Sequence, residues 1–368
     1  MSKKIIFFIR QKPDDTLAQF QRIKKLVSLF NQAFEQEVVV FNAHDDNLSH
    51  VKEVTACKKK IKKYLKTLKP NSVSKIVIDT LDPWSINLLN RYAVKRNIKV
   101  YIDLVEFADP REKKYGYLSP SLILNHKMIK RSVKKNMTVL AISHYFMNYY
   151  AKKGISSILM PNLINEDEDN AKYLTKKIDD KVHFIFAGYP YKKDALDVTM
   201  SAMVSLNNLY PDFFSFHIAG IEEEAFFEKY KKLKKYKKEI DSFTAFHGYV
   251  KREAIKSLYL KSDFSIIMRD PSLVTCKAGF PTKFTESLSF ARPVIANLTS
   301  DIGLYLKDQH NGYVVGGFNK EQLLTALKLA IEQRDLRKEM FKNALDSAKE
   351  YFSPSIYVER LRETDVKE

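Results

Sequence analysis

The chain has 368 residues, which at about 150 residues per domain divides into two domains, each large enough for its own core. Hydrophobic residues make up 45% and charged residues 29%, and only 10 glycines and 12 prolines argue against long disordered linkers. The two cysteines, Cys57 and Cys276, make no disulfide framework or metal-ligand pattern, while a net charge of +18 points to anionic partners: sugar nucleotides, lipid phosphates, an anionic membrane or nucleic acid.

The first half reads as strand and helix in alternation. Strands are expected at Ile5 to Ile9, Val38 to Phe41, Ile76 to Asp79, Lys99 to Ile102, Thr138 to Ile142 and Ile158 to Met160. Between them fall helices at Leu17 to Phe30, Val51 to Leu68, Ser85 to Lys95, within Leu118 to Lys135, and at Tyr145 to Lys153. Short apolar strands separated by amphipathic helices mean a buried, largely parallel sheet. The polar stretch Asn165 to Asp180 is the best linker, and the pattern then restarts with strands at His183 to Phe186, Ser215 to Ala219, Phe243 to His247, Asp263 to Met268, Val294 to Ala296 and Gly312 to Val315. Helices are expected at Asp194 to Tyr210, from Glu222, at Lys251 to Lys261 and at Glu321 to Phe341. The fold class is therefore α/β, two doubly wound Rossmann-like units in tandem, with ligands at the carboxyl ends of the strands and a cleft between domains as the default site.

The most informative stretch is Ala278 to Ala296. Gly279 and Pro281 break the chain, a helix starts near Thr282, and Arg292-Pro293 stops it after about Ala291. Phe284, Leu288 and Ala291 fall on one face and can pack, while Lys283 and Glu286 share another. The amides that open such a helix are unpaired and positive, so with Lys283 the turn is an anion site, and Glu286 one turn deeper can accept hydrogen bonds from a vicinal diol. Phosphate beside ribose indicates a nucleotide.

The run from Gly279 to Ser287, followed by Pro293-Val294-Ile295-Ala296 and Asn311-Gly312-Tyr313-Val314, resembles the C-terminal donor domain of GT-B glycosyltransferases. More narrowly, it is similar to the retaining branch that builds bacterial surface polysaccharides. That resemblance implies an acceptor domain over 1–165, a donor domain over 181–340 facing it across a cleft, and a helical tail over 341–368 that crosses back to the first domain. The branch usually carries two glutamates with seven residues between them; Glu286 matches the second, the ribose ligand, and Ala278 stands in the place of the first.

Other candidates lie at strand ends. After the first strand of the second half, Gly188 makes a turn, Tyr189 stands where the family has an arginine, and Lys192 or Lys193 can reach the donor phosphates. Arg269 ends the strand Asp263 to Met268, where its planar donor fork suits a diphosphate. In the turn Thr299 to Gly303, the resemblance places Asp301 and Ile302 beside the donor, although Asp301 can equally be only a helix cap. In the first half Asp103 and Glu106 can bind acceptor hydroxyls or act as a base, with structural roles as an equal alternative. Asp167-Glu168-Asp169 mimics the Asp-x-Asp metal motif of another fold but lies in the polar linker; Gly188 and Gly220 make no dinucleotide fingerprint.

The reading is a glycosyltransferase that moves a sugar from a nucleoside diphosphate sugar, a UDP-sugar in particular, to a saccharide or lipid-linked acceptor, without a metal. Departing negative charge would be met by Arg269, Lys283 and Lys192 or Lys193. Retention is what the resemblance implies; an inverting transfer with Asp103 or Glu106 as base, and a GT-B-like subunit that scaffolds an active partner, are the alternatives. No run approaches the roughly 18 apolar residues of a membrane span, so a cytoplasmic protein is expected, with a peripheral place on the inner face of the membrane. The basic helix around Lys58 to Lys69, with Ile61, Leu65 and Leu68 on one side, either docks on anionic lipid or packs on its own sheet. Nucleic acid is not expected, since the basic runs carry too few aromatics for stacking.

Overall fold

The computed structural model describes residues 3–10, 18–43, 50–79, 81–165, 170–175 and 180–366. Asp167-Glu168-Asp169 and half of the polar linker lie outside the described residues. The chain divides into two compact units, residues 1–163 together with 354–368, and residues 164–353.

The first unit holds six parallel strands, β1 (Lys4–Ile9), β2 (Val38–Asn42), β3 (Val73–Asp79), β4 (Lys99–Leu104), β5 (Met137–Ala141) and β6 (Ser157–Leu159), in the order β2-β1-β3-β4-β5-β6. Ile5 to Ile9 and Val100 to Ile102 are buried throughout, as strands covered on both faces must be, whereas the edge strand β2 is only half covered. The basic helix, His50–Thr67, packs on this sheet: Ile61 is fully buried, Leu65 nearly so, and Tyr64 stacks on Phe41 at 4.4 Å between ring centres. Its apolar stripe is thus engaged inside the unit, and lysines such as Lys59, Lys62 and Lys66 are what it presents outward.

The last helix, Pro354–Val366, belongs to the first unit. Tyr357 and Leu361 enter its core, Arg362 donates to the carbonyls of Ala33 (3.0 Å) and Gln32 (3.1 Å), and Asp365 pairs with Lys75 at 2.8 Å. The preceding helix, Arg337–Phe352, stays with the second unit, so the chain changes units at Ser353-Pro354.

The second unit repeats the plan with β7 (Val182–Ala187), β8 (Phe214–Ala219), β9 (Thr244–Phe246), β10 (Phe264–Ile267), β11 (Val294–Asn297) and β12 (Gly312–Val315), all parallel, in the order β12-β11-β10-β7-β8-β9. The order reverses between β7 and β10, which opens a crevice at their carboxyl ends. Several helices are shorter than their sequence patterns. The one expected within Leu118 to Lys135 is Pro120–Lys127 followed by a wide turn, Met128–Ser132. The one expected over Glu321 to Phe341 breaks at 334–336 into Lys320–Glu332 and Arg337–Phe352.

Candidate functional site

The loop after β7 and the end of β10 meet across the switch point. Ala195 N–H donates to Met268 O at 3.0 Å, Asp194 and Arg269 form an isolated bridge, and Asp270 N–H reaches Lys193 O at 3.4 Å. Gly188 sits where the loop departs, at φ 107°, and a Cβ on the neighbouring Gly220 would fall 2.4 Å from the Gly188 carbonyl carbon. These two turns approach too closely for any larger residue at 220. The amide of Gly188 donates to Ala219 O (2.8 Å) and so continues the sheet.

Helix Thr282–Ser289 carries the central motif, with Phe284 and Leu288 buried on its inner face. Behind it, Phe352 packs against Phe280 and Phe284, with centroids 5.9 and 6.4 Å away. The helix stops two residues before the expected Ala291, which takes a left-handed φ of 55°. No side chain caps its start; Phe284 N–H donates to Pro281 O at 3.0 Å, and the amides of Thr282 and Lys283 open the helix ahead of it.

Lys283 is not a free cation. Its Nζ donates to Asp194 Oδ1 at 2.7 Å and lies 4.2 Å from the centre of the Phe186 ring, and both members of the pair are largely buried. Burial, with Arg269 and Lys193 as like charges, pulls the Lys283 ammonium below its ordinary range against the attraction of Asp194. Burial would raise the Asp194 carboxyl, yet Lys283, Arg269 and Lys193 together hold it below the usual carboxylate range. Three cations thus surround one carboxylate, and the cluster carries a net positive charge. Lys229 adds to it: its Nζ donates to Pro190 O and lies 5.0 Å from the centre of the exposed Tyr189 ring. Lys192 is exposed and Lys193 half-buried on the same loop.

Arg269 is 3% exposed, and its Nη1 donates to Gly279 O at 2.9 Å while Asn297 brackets its backbone at 2.9 and 2.7 Å. It pins the Gly279–Lys283 turn and contributes charge from behind. Glu286 is half-buried one turn into the helix; after burial, its charge is the next cause that raises the Tyr259 hydroxyl. After β11, Ile302 N–H is engaged by Thr299 O at 3.2 Å, and Asp301 makes no capping bond with its side chain. The Ile302 amide is thus engaged within its own turn. Thr299 Oγ1 and Ser300 Oγ in that turn are buried with no hydrogen-bond partner among the described residues, and Ser300 stands at φ 52°.

Asp194 and Lys229 escaped sequence reasoning. Asp194 read as a helix start after two lysines, and nothing in the order of residues places Lys229 beside a loop far upstream. Thr299 and Ser300 lay inside a turn already singled out, and their uncapped hydroxyls show only in three dimensions.

In the first unit Asp103 takes the structural of its two expected roles. Its two carboxylate oxygens accept from Arg22 at 2.7 and 2.8 Å, and Arg22 also donates to Met160 O and Pro161 O, so this buried pair ties β4 to the end of β6. A carboxylate held this way is a structural acceptor, not a base for a substrate hydroxyl. Glu106 is half-buried on the loop that follows, and Asn125 and His126 fix that loop by bonding to Glu106 O, Ala108 N–H and Ala108 O. Among the described residues no three His, Cys, Asp or Glu side chains gather as a metal site requires.

Residues 166–346 match the family of glycosyl transferases group 1. No curated protein matches the chain. Among solved structures it is similar to sucrose-phosphate synthase from Thermosynechococcus elongatus, with a TM-score of 0.75 at 12% identity over 99% of this chain and 98% of that one. It is similar to HepE from Anabaena in complex with UDP and glucose, with a TM-score of 0.69 at 12% identity over 100% of both chains. A glycosyltransferase from Rickettsia africae follows, with a TM-score of 0.71 at 15% identity over 99% of this chain and 97% of that one. These likenesses are to the fold, and the family match covers the unit that holds the charged switch point. The chain carries a glycosyl transferases group 1 domain and is a glycosyltransferase of the GT-B fold.

Proposed function

We propose that the chain transfers a sugar from a UDP-sugar to a saccharide or lipid-linked acceptor, with retention at the anomeric carbon and without a metal, in the synthesis of a surface polysaccharide or glycoconjugate. The observation that carries the donor half is the cluster at the switch point: Lys283 bonded to Asp194 at 2.7 Å, Arg269 bridged to the same segment and Lys193 beside it, three cations around one carboxylate. Such an excess of positive charge at the carboxyl ends of parallel strands suits an anion. The complex of HepE with UDP and glucose supports uridine as the nucleoside.

When the sugar leaves, negative charge concentrates on the diphosphate. Lys283, Lys193 and the opening amides of helix Thr282–Ser289 meet that charge, and Arg269 holds the turn that presents them. Preorganised donors of this kind are each worth roughly 3 kcal/mol of barrier. Glu286 accepts from the ribose diol, and Thr299 Oγ1 and Ser300 Oγ supply hydroxyls to the donor. With Asp103 engaged by Arg22, retention leaves the departing phosphate itself to take the acceptor's proton. Glu106 binds the acceptor.

Calorimetry with UDP, GDP and ADP, with and without magnesium, tests the donor class. UDP should bind at micromolar concentration and equally well without the metal, and Glu286→Ala should weaken it about tenfold with no change in melting temperature, a loss of about 1.4 kcal/mol. Failure of all three nucleotides to bind would overturn the reading, and the anomeric configuration of the product decides between retention and inversion.

A further inference from the structure

The two most exposed large apolar side chains among the described residues, Leu118 (81%) and Tyr117 (76%), are neighbours in the first unit, flanked by Tyr115 (64%) and Ile123 (51%). They are held in a tight array. After β4 the chain makes the turn Gly116–Leu118, in which Leu118 N–H donates to Tyr115 O (3.0 Å) and Ser119 N–H to Gly116 O (3.2 Å), and passes into helix Pro120–Lys127, where Ile123 N–H donates to Ser119 O (3.0 Å). Leu122 on that helix and Ile129 on the wide turn that follows it are both buried. The apolar groups are therefore presented outward by a hydrogen-bonded scaffold.

Charge identifies what they meet. Residues 111–135 carry eight lysines and arginines against one acid, Glu112. Lys114 Nζ lies 5.5 Å from the Tyr115 ring centre, and Lys127 Nζ lies 4.6 Å from that of Trp84, itself 44% exposed. Tyrosine and tryptophan settle at the level of lipid headgroups, leucine and isoleucine pass just beneath it, and lysine stems lie along apolar surface with their ammonium groups on phosphates. A neutral saccharide would call for several carboxylate and amide acceptors; the segment offers one carboxylate, Glu112, and one side-chain amide, Asn125, which is already engaged with Glu106 O and Ala108 N–H. The basic helix His50–Thr67 has the charge but buries its apolar stripe in its own unit.

We propose that the segment 111–135 docks the first unit on an anionic lipid bilayer, with Tyr117 and Leu118 entering the boundary between headgroups and acyl chains. The proposal stands apart from the donor reading, since it concerns the other unit and is read without turnover. Trp84, the only tryptophan of the chain, reports on it directly.

The test is sedimentation of the full chain with vesicles of phosphatidylcholine alone and with about one third phosphatidylglycerol, together with Trp84 emission. Binding to the mixed vesicles only, weakened by salt and accompanied by a blue shift, is the expected result. Replacing Tyr117→Ser and Leu118→Ser together should lower vesicle affinity at least tenfold and abolish the shift, while melting temperature and UDP affinity stay as in the parent. Replacing Lys59→Ser, Lys62→Ser and Lys66→Ser should lower vesicle affinity less than the apolar pair does. Absence of vesicle binding, unchanged binding in the Tyr117/Leu118 variant, or a dimer that this variant dissociates would overturn the proposal.

Discussion

Lys283 and Asp194 show how a single contact changes the meaning of a residue. As an isolated cation, Lys283 would be a simple phosphate ligand; paired at 2.7 Å with a buried carboxylate, it is held in one place and partly neutralised. Removing it has two separable effects. Lys283→Ala should reduce transfer at least a hundredfold, and it should also cost about 3 kcal/mol of stability because Asp194 is left buried without its partner. The double variant Lys283→Ala with Asp194→Ala should recover most of that stability, measured by the urea midpoint, and none of the turnover. Recovery of turnover in the double variant would show that Lys283 acts only through Asp194.

At the scale of elements, a chain of polar side chains crosses the second sheet. His183 Nδ1 contacts Ser215 Oγ at 2.6 Å, Ser215 Oγ lies 3.5 Å from His217 Nε2, and His217 Nδ1 lies 3.1 Å from His247 Nε2. The contact between two ring nitrogens needs one of them unprotonated. Burial first, and then Lys261, push the His247 imidazole below its ordinary range, so the unfolded chain takes up a proton at a higher pH than the folded one. By linkage, the second unit should be at full stability above about pH 6.5 and lose stability as pH falls below it. Urea unfolding at pH 7.5 and 5.5 measures this, and His247→Gln should flatten the difference. A pH dependence that survives the substitution would place its origin elsewhere.

For the whole molecule, the chain's return to its first unit matters most. The helix Pro354–Val366 fills that core with Tyr357 and Leu361 and places Asp365 against Lys75, which is otherwise buried beside the Phe34 ring at 4.1 Å. Leu361→Ala should cost about 2–5 kcal/mol, and it should do so in the first unit alone, although residue 361 follows the whole second unit in the chain. Two-step denaturant unfolding, followed by Trp84 for the first unit and by UDP binding for the second, measures this. Loss of stability in the second unit would contradict the division.

Much of this was legible in the order of residues. Buried parallel strands announce themselves as short apolar runs, because a strand covered on both faces has no polar side to show. The tandem α/β plan and the central motif with Thr282, Lys283 and Glu286 follow from such local patterns, as does the turn Thr299–Gly303. Local pattern failed where a role depends on a distant partner. Asp103 reads equally as an acceptor ligand or base and as a structural carboxylate, and Arg22, far away in sequence, decides for the second by taking both its oxygens. The basic helix reads equally as a lipid surface or as packed on its own sheet, and its stripe packs inward, while the exposed Tyr117 and Leu118 lie at the start of the segment 118–135 where a helix is expected, in a turn that precedes it. The sequence by itself determined which segments become strands and helices and which loops carry charge. Only the tertiary structure decided which charges are paired and which apolar groups face water, because pairing and burial are set by contacts between residues far apart in the chain.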